Sequence, residues 1–251
     1  MTTSSVFWGE LIGTCILLLL GVGATSNVLL TKSKGHASGW IVISWGWGFA
    51  VAMGVYVSGW ASGAHLNPAV TIALTAVGKS PLAFMPMYFA GQILGGLLGA
   101  FLAWLTYYSH FAATIDSDMK LMCFATKPAI RRPFWNFVTE FIATAVLVAG
   151  ILGIFNAHNN INVASGIGPY AVGILIVAIG LSLGGPTGYA INPVRDLCPR
   201  LIHTLVPMRN KGSSDWAYAW VPLFGPILGG LFGAFVYHNL VESLKLFANA
   251  Q

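Results

Sequence analysis

Residues 63–74 read GAHLNPAVTIAL, a polar step through His65, Asn67 and Pro68 that runs straight into an apolar stretch. Asn is a favoured N-cap and Pro a favoured first helical residue, so a helix starts here. Lys79 and Pro81 end it within about three turns, roughly 16 Å of rise, which is half of what a bilayer core demands. A short helix with a polar tip is ordinary at a protein surface. In this chain it requires an explanation.

The explanation is required because the rest of the chain is built for lipid. Of 251 residues, 56% are hydrophobic and only 8% charged, with a mean hydropathy of +0.75. Soluble domains carry nearer a quarter of charged residues. Apolar runs suit six spans at roughly 7–30, 40–60, 83–108, 134–156, 168–186 and 217–240. The N-terminal region is uncharged and its first apolar run is full length, so this run is expected to stay as a span rather than act as a cleaved leader. The net charge of +5 comes from basic residues scattered over loops, without the aromatic-interleaved patch of a nucleic-acid binder. The three cysteines lack metal-ligand spacing; Cys15 and Cys198, in apolar stretches, read as buried inert thiols, and no metal or cofactor is expected.

The chain also repeats itself. ELIGT (Glu10–Thr14) recurs as EFIAT (Glu140–Thr144), SGAHLNPAV (Ser62–Val70) as TGYAINPVR (Thr187–Arg195), and ILGGLLGAF (Ile93–Phe101) as ILGGLFGAF (Ile227–Phe235). Three ordered matches at a nearly constant offset mark a duplication. The repeats cover about 7–108 and 134–240 of a single membrane domain, 1–251, joined by a loop at 109–133 read as external and solvated. Each repeat has three full spans, an odd number, so the second enters the membrane from the opposite side and the repeats are inverted. The two Asn-Pro segments are then re-entrant half-helices that meet near the midplane. Their irregular approaches are tolerated at that depth only when buried in protein or lining a water-filled cavity. Asn67 and Asn192 cap the half-helices and turn their amide NH₂ groups toward whatever lies between, while both dipoles present positive ends to one point.

On these residues the chain resembles the major intrinsic protein family, aquaporins and glycerol facilitators, over nearly its whole length. HLNPAV and INPVRD are similar to the family's paired Asn-Pro-Ala boxes, here Asn67-Pro68-Ala69 and Asn192-Pro193-Val194. Valine at 194 replaces a small residue where the two tips pack. Asp196 after Arg195, Arg200, and Pro222-Leu223 match the glycerol-conducting branch. The resemblance implies a six-span, all-α fold with two half-helices, a passive glycerol and water channel, a homotetramer, and both termini in the cytoplasm of a multi-pass cell-membrane protein. Lysine and arginine counts oppose that orientation, since it leaves Lys79 and Lys245 inside against Lys32, Lys34, Lys120, Lys127, Arg131, Arg132, Arg209 and Lys211 outside.

The resemblance maps a selectivity filter onto Trp47, Gly180, Tyr189 and Arg195. Trp47 is preferred to Trp45 by its spacing from Asn67; two positions apart on a helix, the rings cannot share a face. Arg195 in an apolar half-helix is expected to face water, because facing lipid would cost about 2.5–3.5 kcal/mol or more. Its fork of donors suits hydroxyl oxygens, Trp47 and Tyr189 offer an apolar corner for carbon, and Gly180 leaves room beside Tyr189. Gly63, Ala64, His65, Leu66, Gly188, Ala190 and Ile191 with Val51 and Ile176 are expected along the pore. Glu10 and Glu140 are taken as supports for the re-entrant backbone rather than proton relays, with Gln92 bracing the same loop. Competing readings are a strict water channel, disfavoured by Gly180 where a narrowing His would be expected, and a secondary transporter, disfavoured by the want of a midplane carboxylate cluster. An intramembrane enzyme finds no nucleophile–base pair.

Overall fold

The computed structural model describes residues 1–156 and 166–248, the side chains of Glu242, Ser243 and 245–248 excepted. The Lys245 side chain and residues 157–165 of the second repeat therefore lie outside the described residues. Ten α-helices and no strand occur among the described residues. The first repeat supplies α1 (Thr3–Leu29), α2 (Trp40–Ser62), α3 (Pro68–Ala76) and α4 (Met85–Thr106). The connection holds α5 (Tyr108–Ala113) and α6 (Ser117–Phe124); the second repeat supplies α7 (Pro133–Ile154), α8 (Ile167–Ser182), α9 (Pro193–Leu205) and α10 (Trp220–Ala248). Among the described residues five helices are long and apolar enough to cross a membrane, and α8 is apolar but 16 residues long. The half-helices α3 and α9 have 9 and 13 residues.

Glycine spacing brings the long helices together. Gly91, Gly95 and Gly99 recur every four residues along one face of α4 and lie on the α1 backbone; Gly225, Gly229 and Gly233 do the same on α10 against α7. A Cβ on Gly91 or Gly225 would sit 2.8 Å from the Cβ of Glu10 or Glu140, respectively. With no hydrophobic drive between helices in lipid, such backbone contact is what holds spans together. The next glycine in each run faces a half-helix of the opposite repeat. A Cβ on Gly96 would meet Val194 Cγ1 at 2.7 Å, and one on Gly230 would meet the Ala69 carbonyl oxygen at 3.2 Å. Each half-helix is therefore seated on the last span of the other repeat, and the larger Val194 fits because Gly96 has no side chain.

The connection departs from the sequence expectation. Segment 109–133 is solvated only in part: Phe111, Lys120, Leu121, Cys123, Phe124, Ala125 and Thr126 are buried, while residues 129–133 are exposed. α6, capped by Asp116, packs on α1 and α9.

The glycine contacts give a direct test. Gly95→Ala and Gly229→Ala each push a methyl into a carbonyl oxygen, of Leu11 and Phe141, and should destabilise by about 1–3 kcal/mol as overpacking. Gly23→Ala, whose new methyl meets only Tyr107 at 4.0 Å, should not. Thermal unfolding in detergent compares the three; equal melting of Gly95→Ala and Gly23→Ala would refute the close-approach argument.

Candidate functional site

Both half-helix tips are tied down twice. Asn67 Oδ1 accepts the Ala69 N–H at 2.9 Å, and Asn192 Oδ1 accepts those of Val194 at 3.0 Å and Arg195 at 3.2 Å. Each amide then donates across the repeat boundary, Asn67 Nδ2 to the Ile191 carbonyl and Asn192 Nδ2 to the Leu66 carbonyl, both at 2.8 Å. One of the two N–H bonds of each amide is thus used inside the protein, which leaves one for the space between the tips. Sequence reasoning points the whole amide at that space; the structure gives it half.

The approach to each tip follows one backbone pattern. Gly63, Ala64 and Leu66 have φ of 80°, 50° and 51°, and Gly188, Tyr189 and Ile191 have 89°, 37° and 45°. Non-glycine residues in this region carry about 1–3 kcal/mol of strain each and persist only when their surroundings hold them. The holding groups are two buried carboxylates. Glu10 accepts from Ser62 Oγ (2.7 Å), His65 N (2.9 Å), Leu66 N (2.7 Å) and Gln92 Nε2 (2.7 Å). Glu140 accepts from Thr187 Oγ1 (2.6 Å), Ala190 N (3.0 Å) and Ile191 N (2.8 Å). Gln92 also reaches Thr71 Oγ1 at 3.0 Å, which sits 3.1 Å from His65 Nδ1, and the His65 ring stacks on Tyr88 at 4.0 Å.

Two cavities run into this region from opposite sides. The deep one is lined by the tips Asn67 and Asn192, by Gly63, Ala64, His65, Leu66, Ala190 and Ile191, and by apolar walls that include Val51 and Ile176. The other is a vestibule beneath segment 109–133, with Trp40, Thr126, Lys127 and Gly188 in its wall. Trp47, Tyr189 and Arg195 are the residues common to both linings. There the Arg195 guanidinium lies over the Trp47 ring, 3.7 Å from its centroid, well inside cation–π range. Trp47 is fixed by a 2.9 Å bond from Nε1 to Thr25 Oγ1, whereas Trp45 is partly exposed and pairs with Phe49. Gly180 lies behind this junction. The room it leaves is filled by the Tyr189 ring, since a Cβ there would be 2.9 Å from Tyr189 Cζ. Pro68, Ala69, Pro193 and Val194 are buried supports of the tips.

Asp196 faces away from both cavities and is fully buried. It binds Arg200 Nε at 2.8 Å and Nη2 at 3.1 Å, and accepts from Thr126 N at 2.7 Å and Thr126 Oγ1 at 2.6 Å. Arg200 completes its fork on the carbonyls of Thr126 (3.0 Å), Ser214 (2.7 Å) and Asp215 (3.1 Å). The Asp215 side chain in turn pairs with Arg131 and raises that guanidinium above its ordinary range by hydrogen bonding. One ion pair therefore pins segment 109–133 and the 206–216 turn onto α9, and it brings the Phe124 carbonyl within 3.5 Å of Arg195 Nη1.

Thr25, Trp40, Thr71, Thr126 and Ser214 escape sequence reasoning, because each acts through a partner distant in the chain. Ser62 and Thr187 were within reach: they stand at equivalent repeat positions and both carry the hydroxyl that a supporting glutamate needs.

Comparison with known proteins agrees with the fold. A family model described as major intrinsic protein matches residues 2–237. The chain is 53% identical to glycerol uptake facilitator protein 3 of Lactiplantibacillus plantarum, covering 92% of this chain and 95% of that one. It is 53% identical to a probable glycerol uptake facilitator protein of Thermotoga maritima, covering 94% and 99%. The X-ray structure of the aquaglyceroporin from Plasmodium falciparum superposes with a TM-score of 0.87 at 32% identity, covering 97% and 98%.

Asp196→Ala would strand a buried guanidinium, a loss of about 3–5 kcal/mol when one partner of a buried pair is removed. A lowered melting temperature and protease cleavage within 109–133 are the expected results, read by thermal unfolding and limited proteolysis of the purified protein. Wild-type resistance in both would show that the ion pair does not hold the segment.

Proposed function

The chain belongs to the major intrinsic protein family, and from that premise we propose that it is a passive transmembrane channel for glycerol, water and other small uncharged solutes, closed to protons and ions. The observation that carries this reading is the junction of the two cavities at Trp47, Tyr189 and Arg195. Two aromatic rings and one guanidinium line the same passage there, so a solute with carbon on one edge and hydroxyls on the other finds a partner for both. Beyond the junction, the remaining N–H of Asn67 and of Asn192 and the irregular backbone at 63–66 and 188–191 supply hydrogen bonds opposite the apolar wall of Val51 and Ile176. Arg195 and two positive helix ends then set an electrostatic barrier to cations.

A coupled transporter is a poorer reading. Glu10 and Glu140 are already committed to backbone and side-chain donors, which leaves neither of them to bind a coupling ion. On the same reading the protein is a conduit rather than an enzyme and uses no cofactor. It sits in the cell membrane as a homotetramer with cytoplasmic termini, which puts the vestibule outside.

The test is paired permeability in proteoliposomes, water against glycerol, with a pH-gradient control. Wild-type vesicles should pass both solutes and hold the gradient; Arg195→Val should leak. Gly180→His forces the Tyr189 ring from its seat and adds an imidazole. Glycerol flux should fall about 10–200-fold relative to water, the range for a mismatched small contact. An unchanged ratio in a well-folded variant would place discrimination elsewhere.

A further inference from the structure

Trp40 opens α2 two turns before Trp47, on the same face of the helix, which puts it in the vestibule wall above the junction. It makes two specific contacts. Its Nε1 donates to the Gly180 carbonyl at 2.8 Å, and its ring meets Tyr189 edge-to-face at 5.7 Å, inclined by 74°. The phenol is thereby held between Trp40 and the bare face of Gly180. Gly184 keeps the same seat open: a Cβ there would stand 2.6 Å from Tyr189 Cδ1 and 2.9 Å from Trp40 Cζ2. Tyr189 itself has φ 37°, a left-handed backbone that its surroundings must hold in place.

We propose that Trp40 is a specificity-determining residue that acts through Tyr189, fixing the phenol against Gly180 and so setting the width and the apolar edge of the junction. The inference rests on the reading of Trp47, Tyr189 and Arg195 as the constriction. Removing the indole frees the phenol to swing into the vestibule, and longer polyols should then pass more easily relative to glycerol. An edge-to-face aromatic pair is worth about two- to tenfold, so Trp40→Ala should lower the glycerol-to-xylitol permeability ratio by about that factor. Trp40→Phe keeps a ring edge and loses the N–H, and should give a smaller shift in the same direction.

The experiment is a double-mutant cycle in proteoliposomes, with glycerol, xylitol and water as probes and flux normalised to inserted protein. The variants are Trp40→Ala, Trp40→Phe and Tyr189→Ala, singly and with each Trp40 change placed in the Tyr189→Ala background. A positioning role requires the Trp40 effect to vanish in that background. An effect that persists there would mean that Trp40 touches the solute itself, and would overturn the proposal. A shifted ratio in Tyr189→Ala with none in either Trp40 variant would also overturn it, while leaving the channel reading intact. If Tyr189→Ala leaves the ratio unchanged, the constriction reading fails and the proposal goes with it. Should Trp40→Ala fail to insert, the Trp40→Phe arm decides on the same terms.

Discussion

Two buried carboxylates make the rest of the structure possible. A polypeptide crossing the middle of a bilayer as irregular backbone has N–H groups that no helix satisfies, and here four non-glycine residues also sit at positive φ. Glu10 receives four donors and Glu140 three, and a carboxylate, acceptor-only with two oxygens, has room for all of them. Hydrogen bonds to a charged group contribute about 1.5–3 kcal/mol each. Three or four of them per loop match or exceed the strain of two left-handed residues at about 1–3 kcal/mol apiece. The reciprocal Asn67–Ile191 and Asn192–Leu66 bonds are then made between loops already fixed in shape.

That logic explains what the sequence disclosed. Glu10 and Glu140, Asn67 and Asn192, and the paired glycine runs are legible because duplication writes each of them twice, and recurrence at a fixed offset singles them out. The half-helices were legible from cap chemistry and from length. Elements without a repeat counterpart were harder to read. Segment 109–133 is polar in composition, with SDMK and KPAIRRP, and composition alone suggested a solvated connection. Its Thr126 carbonyl instead accepts from Arg200, a residue far along the chain whose partners no local pattern discloses. Gly180 is legible only in part for a similar reason. Its lack of a side chain was visible, but that a phenol from another element fills the space was not.

Val194 illustrates how the repeat tolerates departures. Valine where the other box has Ala69 adds two methyl groups at a crowded contact between repeats. The opposing α4 residue, Gly96, belongs to a run whose other glycines already serve contact with α1. The same run therefore supports two packings on adjacent faces, α1 on one and the half-helix α9 on the next. Because the second contact is to a side chain rather than to backbone, it accepts variation that the first does not.

The scaffold is nearly symmetric and its chemistry is not, and the difference lies in a few equivalent positions. Arg195, three residues past Asn192, corresponds to Val70, three past Asn67; Tyr189 corresponds to Ala64. Val70 and Ala64 line the deep cavity as Arg195 and Tyr189 line the junction, but they are small and apolar. A second guanidinium and a second phenol at those sites would build a second constriction in series, with its own desolvation step for every solute that passes. On the channel reading, placing the guanidinium and the phenol in the second repeat alone, against Trp47 from the first, confines discrimination to one short step. Below it His65, stacked on Tyr88 and bonded to Thr71, stands where the other repeat has Ala190. The inverted duplication supplies two half-helices and two supporting carboxylates; on the channel reading, breaking its symmetry at these positions confines the discriminating chemistry to one side of the tips.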